Sequence, residues 1–327
     1  MIMSIFRILS LDGGGVRGAY SAAALAEIER RQIPPQSNVK LIDYFDLITG
    51  TSTGGILAIG LGLGFSAKDL LEFYQDNAQY IFPSTGLLSG IRARARQLYT
   101  TKYKEKNLRT VLKKQFECRQ LGESHRPLVI VSYNASHNGP HLFKTAHHID
   151  HTRHYRQSAV DIAMATGAAP LYFRSVELPL GDNNKMQTFV DGGVWANCPV
   201  LVGVAEATKY LGVPLDNIHV LSIGTTFGTF QIRDSQMSGG IAQWRLRLFD
   251  LIMSAQQAGV IGTANVLLKT PVARITREVK KEVALDNPKE VPNLVRWGKE
   301  DAGNKFNEIQ QQFLTTTVPT FQPKHPI

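Results

Sequence analysis

The chain has 327 residues, of which 43% are hydrophobic, and a formal net charge of +9. That is enough apolar material for a large buried core, in one large domain or two small ones. Two cysteines, Cys118 and Cys198, are too few for a disulfide framework and suit a reducing compartment. The longest apolar stretch, Gly54 to Phe65, is too short and too rich in glycine to span a bilayer, so any work on membranes would be done from the surface.

Phe6-Arg7-Ile8-Leu9-Ser10-Leu11 predicts a first strand, reached so early that no secretory signal is expected before it. It leads into Asp12-Gly13-Gly14-Gly15-Val16-Arg17-Gly18 and a helix from Ala19 to Arg31. Gly13-x-Gly15-x-x-Gly18 after a strand matches the dinucleotide-binding fingerprint. That reading needs an acidic residue at the end of the next strand, where a serine turn stands instead. A phosphate-binding P-loop fails as well, because no G-K-[ST] closes the motif. The remaining use of the glycines is to offer free backbone N–H groups to an anion at the positive end of the helix. In an acyl-transfer site that anion is the tetrahedral oxyanion, with Gly13, Gly14 and Gly15 as candidate donors. Arg17 adds a fixed charge that either supports the loop or contacts a substrate phosphate.

A second predicted strand, Phe45 to Thr49, runs into Gly50-Thr51-Ser52-Thr53-Gly54-Gly55 and then an apolar helical segment. G-x-S-x-G is common in ordinary turns, but between a strand and a helix it is the setting of a nucleophile elbow, whose small flanking residues, here Gly50 and Gly54, leave the Ser52 oxygen exposed. Further on, Ile81 to Arg96 sets apolar residues beside Arg92, Arg94 and Arg96, followed by Lys102, Lys104 and Lys106. This segment reads either as an interfacial lid or as a solvated basic face. The net positive charge attracts anionic lipid headgroups and nucleic acid alike. No zinc, helix-turn-helix or aromatic-interleaved RNA motif is present, so a nucleic-acid polymer is not an expected partner.

After a strand near 128–133, six histidines crowd the stretch from His137 to His154. His147 and His151 have the i, i+4 spacing of a helical metal pair, but Asn138-Gly139-Pro140 interrupts the stretch and Phe143 to Ala146 reads as a strand. A polar loop near the active cleft is the better reading, and no metal is expected. Thr188-Phe189-Val190 reads as a strand that delivers Asp191, with Gly192 and Gly193 turning the backbone away. Only His219 and His325 follow Asp191; the first lies inside the apolar run Ile218 to Ile223 and the second near the last residue, so a Ser–His–Asp triad fits poorly. Asp191 fits better as the base itself, since a partly desolvated carboxylate within reach of a serine gains basicity. Ser52 and Asp191 would then form a catalytic dyad.

The three motifs, D-G-G-G-x-R-G, G-x-S-x-G and D-G-G, in this order and each behind a strand, resemble those of the patatin-like phospholipases, a family of lipid acyl hydrolases. The resemblance covers about residues 6 to 225 and includes Ser222-Ile223-Gly224-Thr225, which is similar to the family's late strand and turn. It implies that Ser52 is the nucleophile, Asp191 the base and the Gly13–Gly15 amides the oxyanion hole, with cleavage of carboxylic-ester bonds in phospholipids or glycerolipids and no cofactor. The chain also resembles, in size and start, the bacterial members that act in anti-phage defence under a cyclic oligonucleotide activator. Such a protein would be cytoplasmic, peripheral at the inner membrane surface, and capable of forming homo-oligomers.

The expected architecture is a single domain over 1–327, a three-layer α/β/α sandwich around a mostly parallel sheet with strands near 6–11, 45–49, 128–133, 187–190 and 218–223. Residues 226–327 would form a helical part packing on the core or covering the cleft. A second class of function stays open: a binding protein that uses the glycine loop for an anionic ligand and turns over little.

Overall fold

The computed structural model describes residues 5–83, 101–180, 185–228 and 247–327, and only the backbone of 247–250. The expected basic run at Arg92, Arg94 and Arg96 lies outside the described residues. Among the described residues eight strands form one sheet: β1 (Phe6–Leu11), β2 (Leu47–Thr51), β3 (Leu128–Asn134), β4 (Gly139–Lys144), β5 (Val176–Leu180), β6 (Lys185–Asp191), β7 (Ile218–Gly228) and β8 (Ala273–Val279). The helices are α1 (Gly18–Gln32), α2 (Thr53–Gly62), α3 (Ala67–Ile81), α4 (Glu105–Phe116), α5 (Ala159–Thr166), α6 (Gly193–Ala196), α7 (Val200–Leu211), α8 (Arg247–Leu267) and α9 (Val291–Phe313).

Successive side chains of a strand point to opposite faces, so the apolar runs of the central strands must be covered on both sides. On one face Leu9, Leu11, Ile130, Leu221 and Ile223 pack with α1, α2, α5 and α9. On the other, the alternate residues Ile8, Val129 and Val220 pack with Val200 and Val204 of α7 and Ala264 of α8. The α7 helix lies so close to the sheet that a Cβ at Gly203 would press on Ile8 and Thr49. These two cores make the three-layer α/β/α sandwich.

The sheet is mixed. Strands β3, β2, β1, β7 and β8 run parallel in that spatial order, whereas β4, β5 and β6 are antiparallel additions. β5 and β8 extend the set predicted from sequence, and β4 begins and ends earlier than the strand read at Phe143 to Ala146. β4 follows a turn at Asn138 with φ 52°, so Asn138-Gly139-Pro140 opens a hairpin; Pro140 is tolerated because, among the described residues, β4 pairs with β3 alone. β8 adds a parallel strand from the C-terminal region that the sequence suggested was helical.

One detail of register positions the chemistry. Thr51, the last residue of β2, faces Val131, and Asp191, the last residue of β6, faces the next residue of β3, Ser132. Val131 and Ser132 pair with β4 on their other edge, so β2 and β6 share one edge of β3 and meet end to end. Chains arriving from opposite directions therefore stop side by side, one at Ser52 and the other at Asp191.

Candidate active site

Ser52 occupies the bend between β2 and α2 with φ 54° and ψ −123°, a backbone conformation that side chains other than glycine rarely adopt. The turn is tight on both sides. A Cβ at Gly50 would run into the Gly54 carbonyl, and one at Gly54 into the carbonyls of Leu11 and Asp12. This explains the two flanking glycines of G-x-S-x-G as sites of backbone-to-backbone contact.

The Ser52 hydroxyl donates to Asp191 Oδ2 at 2.6 Å. The second carboxylate oxygen accepts the Gly193 N–H at 2.7 Å, which fixes the rotation of the group and gives the Gly192-Gly193 turn a function beyond changing direction. Burial pushes the Asp191 carboxyl up to about 6, although the hydrogen bonds from Ser52 and Gly193 pull the other way. A carboxylate held there is a stronger base than one in water and is still ionised at neutral pH.

No histidine serves this serine. His219 lies near the start of β7, opposite Arg7, with its Nε2 3.2 Å from Thr270 Oγ1. His325 bonds the Ile149 carbonyl and stacks on Tyr155. His147 follows β4, whose last residue faces Val129 near the start of β3, so His147 to His151 lie toward the strand ends remote from Ser52, whereas His141 faces Ser132 on β3 and packs its ring against Phe189. His147, His151 and Glu206 bring three donor atoms within 4.8 Å, but not on one helix. Glu206 is already bound by Lys144 Nζ at 2.6 Å and His147 Nε2 at 2.9 Å, so its charge is met within the protein, while among the described residues neither ring nitrogen of His151 has a hydrogen-bond partner.

The glycine loop passes directly beside the serine, since a Cβ at Gly13 would lie 3.1 Å from that of Ser52. Its three amides are not equivalent. The Gly13 N–H donates to the Asn197 carbonyl at 3.0 Å and is thereby committed to the loop. Among the described residues neither the Gly14 nor the Gly15 N–H has a hydrogen-bond partner, and both residues line the cleft. Gly15 adopts φ 57°, and a Cβ there would collide with the Leu285 carbonyl. Arg17 is nearly buried; its Nη1 holds the Thr226 carbonyl at 3.1 Å and Glu282 at 2.9 Å. Of the two roles offered for Arg17, loop support is the one these contacts describe.

Several further residues support the site without belonging to any of the three motifs. Asn197 clasps Gly13, and Arg274 from β8 pairs with the buried Asp12 at 2.5 Å and bonds Ser222 Oγ at 2.5 Å. The Leu285 carbonyl accepts the Val16 N–H at 2.8 Å, and Thr166 Oγ1 accepts the Ser52 N–H at 2.9 Å. The Ala-Thr-Gly-Ala-Ala-Pro run at 165–170, with small residues closely spaced after a helix, was the one available hint of a tight contact.

Ser52 and Asp191 open onto a cleft whose walls are mainly apolar, among them Ile56, Phe73, Phe82, Leu108 and Phe173. Tyr74 closes the inner wall with its hydroxyl against Thr53, and burial raises its pKa and keeps it neutral. The apolar lining suits a flexible hydrocarbon chain.

The family model described as "Patatin-like phospholipase" matches residues 9–204, which include the glycine loop, Ser52 and Asp191. The chain belongs to the patatin-like phospholipase family. As a member it is a lipid acyl hydrolase. A cGAMP-activated phospholipase of Pseudomonas aeruginosa is 33% identical over 97% of this chain and 91% of its own length. One of Vibrio cholerae is 32% identical over 92% of each chain. Among solved structures, VipD from Legionella pneumophila has 14% identity and a TM-score of 0.47, covering 94% of this chain and 67% of its own. No helix among the described residues of this patatin-like chain is long and apolar enough to cross a membrane.

Proposed function

We propose that this patatin-like protein hydrolyses carboxylic-ester bonds of membrane phospholipids through a Ser52–Asp191 dyad. The observation that carries the reading is the 2.6 Å hydrogen bond between Ser52 and Asp191 at the wall of an apolar cleft. Ser52 Oγ attacks the acyl carbonyl carbon while its proton passes to Asp191 Oδ2. The Gly14 and Gly15 amides receive the oxyanion, and Gly13 holds the loop rather than the charge. Collapse of the intermediate breaks the ester C–O bond, and the Asp191 proton goes to the departing alcohol. Water, deprotonated by the same carboxylate, then attacks the acyl carbonyl carbon; the bond to Ser52 Oγ breaks, Asp191 returns the proton to Ser52 and the fatty acid leaves.

The chain would act as one catalytic unit at the inner surface of the membrane, since its C-terminal segments prop the loop that carries the oxyanion donors. Similarity to the cGAMP-activated phospholipases over nearly the whole chain supports switching by a cyclic dinucleotide in anti-phage defence. The test is mass spectrometry of a bacterial lipid extract incubated with protein, with and without cGAMP. Free fatty acids and lysophospholipids should accumulate with cGAMP and remain near background without it. Equal release in both would remove the gating but keep the hydrolase; no release under either condition, with native circular dichroism, would favour an anion-binding role for the glycine loop.

A further inference from the structure

The ladder between β2 and β3 ends at the pair Thr51 and Val131. Beyond it the strand turns sharply into the elbow, and the Ser52 N–H does not reach a carbonyl of β3. The side chain of Thr166, the last residue of α5, stands in the gap: its Oγ1 accepts the Ser52 N–H at 2.9 Å and donates to the Val131 carbonyl at 2.5 Å. A hydroxyl has a single proton, so donation to Val131 turns a lone pair toward Ser52 and locks the direction of both bonds.

The site is built around this hydroxyl. Thr166 is completely buried, and Gly55, in the first turn of α2, leaves the room it occupies: a Cβ there would stand 2.9 Å from both the methyl and the hydroxyl of Thr166. Two residues after Thr166, the Ala168 carbonyl accepts the Asp191 N–H at 3.0 Å. Ser132, opposite Asp191 on β3, donates to the Val190 carbonyl at 2.9 Å. One short backbone run, 166–168, therefore holds the nucleophile by its amide and the base by its amide.

We propose that Thr166 is a positioning residue: its hydroxyl, with the Ala168 carbonyl, forms a clamp that holds Ser52 in its strained conformation and sets the distance from Ser52 to Asp191. The inference rests on the dyad reading. A shift of about 1 Å between reacting groups lowers rates on the order of 100-fold, so a clamp that fixes this distance acts on turnover rather than on substrate affinity.

Thr166→Val keeps the shape and removes the hydroxyl, whereas Thr166→Ser keeps the hydroxyl. On a short soluble ester, with cGAMP present, the Val variant should lose about 10-fold or more in kcat with KM nearly unchanged, and the Ser variant should stay within about 3-fold of the parent. Labelling of Ser52 by a fluorophosphonate should fall with kcat. Because the hydrogen bond from Ser52 lowers the Asp191 pKa, loosening it should also move the acid limb of the Val variant's pH profile upward. That movement separates a clamp from general destabilisation, which would lower amplitude at every pH alike. If the Val variant does not fold, Thr166→Ala gives the same comparison with Ser. Parental kcat in a folded Val or Ala variant, an unmoved acid limb, or a Ser variant as impaired as Val would overturn the clamp. Failure of the parent to label at Ser52 would instead overturn the dyad on which it rests.

Discussion

Residues 9–204 and the segment from Ala273 to Phe313 build the same site in different ways. In the first, the groups that would react sit in short glycine-flanked motifs; in the second no motif is visible, yet Arg274, Glu282 and Leu285 hold Asp12, Arg17 and Val16 of the glycine loop. A reacting group needs an unusual backbone around it, such as φ 54° at Ser52 or the close passage of Gly54 beside Leu11, and only a few residue types permit that. A supporting group needs only a charge or a carbonyl in the right place, which any fold can supply from a distant part of the chain.

The contrast predicts separate kinds of failure. The largest effect belongs to the reacting pair: Ser52→Ala and Asp191→Asn should each lower kcat by about 10⁴-fold or more, and the double variant should be no worse than either, because members of a catalytic unit are not additive. Ester turnover measured beside circular dichroism checks this, and near-parental activity in either folded variant would break the assignment. Asp191→Asn should also stabilise the fold. The carboxyl's pKa rises from 3.8 unfolded to about 6 folded, so its ionisation opposes folding: the penalty is absent below about pH 4, grows between the two values, and is complete above pH 6. Unfolding free energies from denaturant titration at neutral pH should favour the Asn variant by up to about 3 kcal/mol and converge with the parent near pH 4.

Next comes the oxyanion loop. Gly15→Ala must adopt a left-handed backbone and press on the Leu285 carbonyl, so turnover should drop on the order of 100-fold, comparable to losing one oxyanion donor. A variant that kept esterase activity but lost affinity for a nucleotide would revive the dinucleotide reading.

The supports should mostly cost stability. Arg274→Met leaves Asp12 buried without its partner, and chemical denaturation should show a loss of about 3–5 kcal/mol. Glu282→Gln should do least, because Glu282 is partly exposed and the bond to Arg17 can persist in neutral form; a change of a few-fold in turnover and about 1 kcal/mol or less in stability is expected. A Glu282→Gln variant as inactive as Ser52→Ala would erase the distinction between the two regions.

How much could be read from sequence follows the same division. The apolar runs at 6–11, 128–133 and 218–223 announced central strands because these are buried on both faces. β8, Ala-Arg-Ile-Thr-Arg-Glu-Val, was not legible: its charged residues look solvent-facing, although Arg274 and Arg277 pair with Asp12 and Asp301. Ser52, Asp191 and the loop glycines stand out in the sequence and lie together in the structure, but the sorting of Gly13 from Gly14 and Gly15 depended on Asn197, whose carbonyl is a backbone atom that no residue type reveals. His147 and His151 had a suggestive spacing, and it took the position of Lys144 to show where the charge of Glu206 goes.

The dyad is the claim on which the rest depends, and its most direct test is the rate at which a fluorophosphonate labels Ser52 in the parent and in Asp191→Asn, with cGAMP present, from about pH 4 to pH 9. The account predicts a single adduct on Ser52, formed at a rate that falls as pH drops through about 6 in the parent and that is lower by orders of magnitude, without that limb, in the Asn variant. Labelling of Asp191→Asn at the parental rate, or an adduct on any residue other than Ser52, would contradict it.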